Sequence, residues 1–232
     1  MKASDVRWAL AVGMVNVGGY DAEHYAAAIR SCSSQLLPVA YCEFDKLADT
    51  KSIKRFVKEV AGWGYVGIKI HPRFSQISLR HKHLVPVIQE AADYGLFACL
   101  CSYLADPVWG PENTLANLAA LMGRVRDEKL ILFHGCTVRV LELMEIAKGF
   151  KNKLVDLSYT LCKYEGSSLD LDLKWLFKNC DRRVCIGSDH PEYSLSRMRA
   201  RFEELATGLD RVQAENIAFR NLATFCGMTE IN

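Results

Sequence analysis

Five short stretches of this chain hold residues able to move protons, bind anions or ligate metals. They are Lys69-Ile70-His71-Pro72, the pair Cys99 and Cys101, His134-Gly135, the pair Asp156 and Ser158, and Gly187-Ser188-Asp189-His190-Pro191. A histidine exchanges protons near neutral pH, a thiolate binds zinc, and a desolvated lysine can attack a carbonyl. Each stretch also has a plain explanation. A lone histidine often just hydrogen-bonds a loop, Asp189 before a proline can cap a turn, and cysteines fill apolar space. Lys69 can pair with a carboxylate. Chemistry becomes the better reading only if the chain brings several of these stretches together.

The hydrophobic pattern supplies a reason for that. Strand-length apolar runs at Trp8–Val17, Leu36–Phe44, Tyr65–His71, Leu96–Tyr103, Lys129–His134, Leu154–Tyr159 and Arg183–Ser188 alternate with segments of helical period. Those helical segments are Asp21–Cys32, Lys51–Gly62, His83–Tyr94, Asn113–Arg126, Val138–Lys148, Leu169–Lys178, Leu195–Leu205 and Ala214–Phe225. Runs such as Leu130-Ile131-Leu132-Phe133 are apolar on both faces, as in parallel strands covered by helices. Repeated βα units predict an α/β barrel or a doubly wound sheet. No G-x-G-x-x-G follows the first strand, so a dinucleotide-binding sheet loses weight. All five reactive stretches fall at strand C-terminal ends, the active face of parallel α/β folds. Side chains alternate along a strand, so Lys69 shares a face with His71, Cys99 with Cys101, and Asp156 with Ser158. The cluster suits a metal or acid–base site.

Bulk properties narrow the partners. The 232 residues suit one domain, 1–232, with no linker or repeat. Net charge is +2 and no basic stretch could follow a phosphate backbone, which argues against nucleic acid. No apolar run approaches the roughly 20 residues that cross a bilayer, and no leader pattern is seen. Nine cysteines, an odd number in apolar contexts without a C-x-x-C, fit reduced thiols and a cytoplasmic location.

The same stretches resemble a known family. Gly67-Ile68-Lys69-Ile70-His71-Pro72, Phe133-His134-Gly135 and Ile186-Gly187-Ser188-Asp189-His190-Pro191 are similar to motifs of the amidohydrolase superfamily. The group in question is related to aminocarboxymuconate semialdehyde decarboxylase. Glu215-Asn216-Ile217 and Asn221 resemble its closing helix motif. The resemblance implies a TIM-type (β/α) barrel that hydrolyses C–N or C–O bonds or decarboxylates small acids, usually with one divalent metal, zinc first among them. It implies Asp189 and His134 as acid–base residues, Asp189 also as a metal ligand, and Lys69 and His71 as substrate-binding groups.

The departures are as informative. The family's first strand, with its H-x-H metal pair, has no counterpart here, so the barrel is expected to be incomplete, with about seven strands and the first βα unit missing. The family's strand-five histidine falls on Cys101, a substitute ligand through its thiolate. Metal is then expected to be lost or substoichiometric. Three readings follow: a divergent amidohydrolase-like enzyme for a small carbonyl- or carboxylate-bearing substrate, a catalytically degenerate barrel acting in binding or assembly, and a metal-free Schiff-base enzyme using Lys69. An open barrel edge along uncharged Trp8–Val12 predicts a homodimer.

Overall fold

The computed structural model describes residues 1, 4–15, 19–103 and 113–228. The chain divides into two compact units, one of Arg7–Leu130 and one of Met1–Val6 with Ile131–Asn232.

The first holds β1 (Ala9–Val12), α1 (Ala22–Cys32), β2 (Leu36–Tyr41), α2 (Thr50–Gly62), β3 (Gly67–Ile70), α3 (Pro72–Ser75), α4 (Leu84–Asp93), β4 (Phe97–Cys101) and α5 (Leu115–Arg124). β5 (Leu130–Phe133) begins at the division. The second unit continues with α6 (Val140–Ala147), β6 (Lys153–Asp156), α7 (Thr160–Lys163), α8 (Leu169–Asn179), β7 (Val184–Cys185), α9 (Leu195–Leu205), α10 (Arg211–Glu215) and α11 (Asn221–Phe225). The strands follow one another in the sheet in sequence order, β1 to β7. Each of the pairs β1–β2, β2–β3, β3–β4 and β6–β7 is parallel.

Local chemistry explains the elements. Asp21 caps α1 through the amide of His24, Thr114 caps α5 through that of Asn117, and Ser194 caps α9 through that of Arg197. Asp49 and Ser52 form a reciprocal capping box on α2, and Ile53, Val57 and Val60 make its buried face. Strands β3, β4 and β5 are buried along their whole length, Lys69 of β3 included, as parallel strands covered by helices are. Gly67 is needed on β3 because a Cβ there would meet the Phe97 ring at 2.5 Å.

All seven expected strands are present, each somewhat shorter than its apolar run. The first covers Ala9–Val12, and Asn16–Val17 of that expectation lie outside the described residues. The helix expected over Ala214–Phe225 is α10 and α11 joined by a π turn at Asn216–Arg220. The closing motif has a structural task there. The side-chain amide of Asn221 donates to the carbonyls of Asp181 and Val184, at 2.6 and 2.7 Å, and that of Asn216 to the Asp181 carboxylate at 2.6 Å. The two Asn221 bonds satisfy backbone acceptors just before and at the start of β7.

Candidate active site

The second unit gathers four of the reactive positions. His134 follows β5, Asp156 ends β6, and Ser158 lies two residues on. All three are nearly buried, at 7%, 6% and 6% exposure. The Ser158 hydroxyl donates to the Asp156 carboxylate, and the Ser158 amide donates to the same oxygen at 3.2 Å. On the other side, Ser158 Oγ lies 3.2 Å from Nδ1 of His134, and the Ser158 carbonyl lies 3.1 Å from that nitrogen. The Thr160 hydroxyl donates to the His134 carbonyl at 2.6 Å. Cys185 of β7 points its Sγ at the other Asp156 oxygen, 3.9 Å away. The Tyr159 ring stands near edge-on to the imidazole, with centroids 5.9 Å apart.

The backbone around these groups is unusual. His134, Gly135, Cys136 and Thr137 all have positive φ, between 53° and 67°. Tyr159 (φ 66°) and Asp189 (φ 55°) join them. A left-handed conformation costs a non-glycine residue about 1 kcal/mol or more. Five such residues at the ends of β5, β6 and β7 are held there by the surrounding packing, a pattern common at functional sites. Thr137 is fully buried and its Oγ1 has no hydrogen-bond partner among the described residues, an additional local cost.

Gly187 packs against this group. A Cβ at that position would sit 3.1 Å from the Ser158 Cβ and 3.3 Å from Asp156 Oδ1. Glycine at 187 therefore lets the Gly187-Ser188-Asp189 segment approach Ser158 closely without displacing it. Two residues further, Asp189 is exposed, and its carbonyl accepts from the Glu192 amide at 2.9 Å, closing a turn.

The other unit places Lys69, His71 and Cys101. Tyr41, Lys69 and Cys99 are register partners across β2, β3 and β4, so their side chains share one face of the sheet. Lys69, Cys99 and Cys101 are buried, at 3%, 0% and 1% exposure. His71 is the N-cap of α3. Its Nδ1 accepts from the Phe74 amide at 3.4 Å, and its ring stacks on Phe74 with centroids 4.1 Å apart. The Arg73 guanidinium lies over the rings of Phe74 and Tyr103.

Among the described residues no three His, Cys, Asp or Glu side chains come together to hold a metal ion. Asp189 and Cys101 fall in different units. The residues described thus do not fit a catalytic zinc centre, which takes three protein ligands. A groove of about 420 Å³ between α6 and α8, lined by Leu141, Glu145, Leu171, Asp172 and Trp175, shares no residue with the His134 group.

Solved structures decide the fold. A TIM-barrel protein from Bordetella bronchiseptica superposes with a TM-score of 0.82 at 17% identity, over 98% of this chain and 80% of that one. This is a TIM-barrel fold. The 5-carboxyvanillate decarboxylase of Sphingomonas paucimobilis matches with a TM-score of 0.69 at 14% identity, over 99% of this chain and 81% of that one. An amidohydrolase II protein gives 0.66 at 15% identity, over 98% and 86%. No protein-family model matches the sequence, and no curated protein matches it by sequence. Among the described residues no helix is long and apolar enough to cross a membrane.

Asp156 and Ser158 are the partners that sequence reasoning did not assign to His134. Their two-residue spacing at the end of β6 was the available signal, since alternation in the apolar run set both on one face.

Proposed function

We propose that this chain is a divergent amidohydrolase-like enzyme that hydrolyses or decarboxylates a small carbonyl- or carboxylate-bearing substrate, with His134 as its proton-transferring residue. The observation that carries this reading is the buried imidazole held at Nδ1 by Ser158 on a strained backbone. In hydrolysis, His134 takes a proton from water as it attacks the carbonyl carbon and returns it to the departing amine or alcohol. In decarboxylation, the C–C bond breaks, its electron pair stays on carbon, and protonated His134 supplies the replacing proton as CO₂ leaves. Asp189, exposed on its turn, serves as the second acid–base group. Lys69 and His71, in the first unit, are proposed as groups able to bind a negatively charged substrate.

Structures of like fold support the carboxylate class. They include a 5-carboxyvanillate decarboxylase crystallised with manganese and a nitrobenzoic acid, and a 2,6-dihydroxybenzoate decarboxylase crystallised with 2,6-dihydroxybenzoate. No step here runs through a metal, because the described donor set does not fit one. That same donor set favours the second reading, a degenerate barrel that binds a small acid without turning it over.

A panel of hydroxybenzoates and small amides, each assayed for CO₂ or amine release with and without added divalent cations, separates the two. Turnover that falls on the order of a hundredfold in His134→Gln supports the enzyme. Saturable binding with no product from any substrate supports the degenerate barrel.

A further inference from the structure

We propose that Asp156 and Ser158 act as a relay that fixes His134 as its Nδ1–H tautomer and supports its imidazolium form, which makes Nε2 the proton-transferring atom. This rests on the proposed role of His134 and adds two positioning residues to it.

The direction of the hydrogen bonds carries the argument. A backbone carbonyl only accepts, so the contact between the Ser158 carbonyl and Nδ1, 3.1 Å long, puts a proton on Nδ1. The serine hydroxyl has a single proton, and the Asp156 carboxylate takes it. Ser158 Oγ therefore faces Nδ1, 3.2 Å away, as an acceptor too. Both contacts agree on the tautomer, and the lone pair of neutral His134 is left on Nε2. When Nε2 takes a proton, the cation is stabilised through a hydroxyl already polarised by a carboxylate. Asp156 accepts from the Ser158 amide and hydroxyl, and the weak Cys185 thiol donor points at its other oxygen. Burial of all three residues keeps water from competing for these bonds.

The chain has six histidines, so ¹⁵N spectra of histidine-labelled protein can be assigned with His134→Gln. The wild-type protein is expected to show His134 with Nδ1 protonated. In Asp156→Asn the amide can donate to Ser158 Oγ, which turns the serine proton toward Nδ1 and favours the Nε2–H form. That variant should show a mixed or inverted tautomer signal and a kcat lower on the order of a hundredfold, with KM little changed. Ser158→Thr keeps the hydroxyl and should keep the wild-type spectrum and most of the rate.

His134 found as Nε2–H in the wild-type protein overturns the relay without need of any variant. An unchanged tautomer in folded Asp156→Asn overturns it as well. If the tautomer behaves as expected while His134→Gln retains full turnover, the relay stands and the catalytic role of His134 falls.

Discussion

Gly187, just after β7, packs so closely on Ser158, just after β6, that any side chain there would press on it. A methyl group at position 187 would lie 3.1 Å from the Ser158 Cβ, and the neighbouring Asp156 oxygen is 3.3 Å away. Ser158 must then give by a few tenths of an ångström, and its bond to His134 gives with it. Gly187→Ala is expected to cost about 1–3 kcal/mol of stability and to lower kcat on the order of tenfold. Urea denaturation and steady-state kinetics measure the two effects. A variant with wild-type kcat would show that the Ser158 position does not govern the chemistry.

The strands were legible because each is a short apolar run ended by a polar or turn residue, and a buried parallel strand leaves that mark. Helix ends were legible where a cap stood, as at Asp21, or where a glycine followed, as Gly64 (φ 76°) follows α2. The four-residue helices α3 and α7 were not, because one turn shows no periodicity. The left-handed run at His134–Thr137 was hidden for another reason. Only Gly135 among those four residues favours positive φ, so local preference argued against the backbone that tertiary packing enforces. Asp156 and Ser158 could be placed on one face by alternation. The bond from Ser158 to His134 was not legible, and neither was the turn just after it at Tyr159, whose φ of 66° nothing in its residue type announces.

Arg201 gives a second prediction. Its side chain is fully buried, with Nε donating to the Leu161 carbonyl, Nη1 to Glu204 at 2.7 Å, and Nη2 to Asp170. It thereby ties α9 to α7 and α8. Arg201→Met would leave the Leu161 carbonyl and Asp170 without this donor. Removing one member of a buried ion pair costs about 3–5 kcal/mol, and the low end applies because both carboxylates keep contact with solvent. A denaturation midpoint shifted by less than the equivalent of about 1 kcal/mol would show that the guanidinium is dispensable.

A pH dependence follows from His81. Burial, with His83 and Lys82 beside it, holds its imidazole below the usual histidine value of 6.5. Its Nδ1 accepts from the His83 amide at 3.3 Å, a bond that protonation removes. The unfolded chain binds this proton more readily than the folded one. The contribution to stability is therefore complete above about pH 6.5 and is lost as pH falls through the lower folded value. Carboxylates such as Glu142, held below 4.5 by Arg139, titrate in a lower window. Stability should decline as pH falls below about 6.5, ahead of the carboxylate window, and His81→Asn should flatten that decline. Equal slopes in the two proteins, measured by denaturation at each pH, would refute the assignment.

The last prediction concerns self-association through β1. This strand stands at the end of the strand order, paired in register with β2 from Ala9 opposite Leu36 to Val12 opposite Val39. All four of its residues, Ala9-Leu10-Ala11-Val12, are apolar and only half-buried, and Trp8 beside them is 44% exposed. Natural edge strands are usually guarded by a charge, a proline or a bulge, and Ala9–Val12 contains neither charge nor proline. An unguarded apolar edge lowers its free energy by meeting another, and a second copy of the same strand is always at hand. A two-fold arrangement closes such a contact after two chains instead of propagating it. Light scattering on a size-exclusion column should therefore give twice the mass of one chain at micromolar concentration. Leu10→Lys places a charge on the edge and should yield monomers with the fold intact by circular dichroism. A wild-type protein that elutes at the mass of one chain would refute the association, and a dimer indifferent to Leu10→Lys would move it to another face.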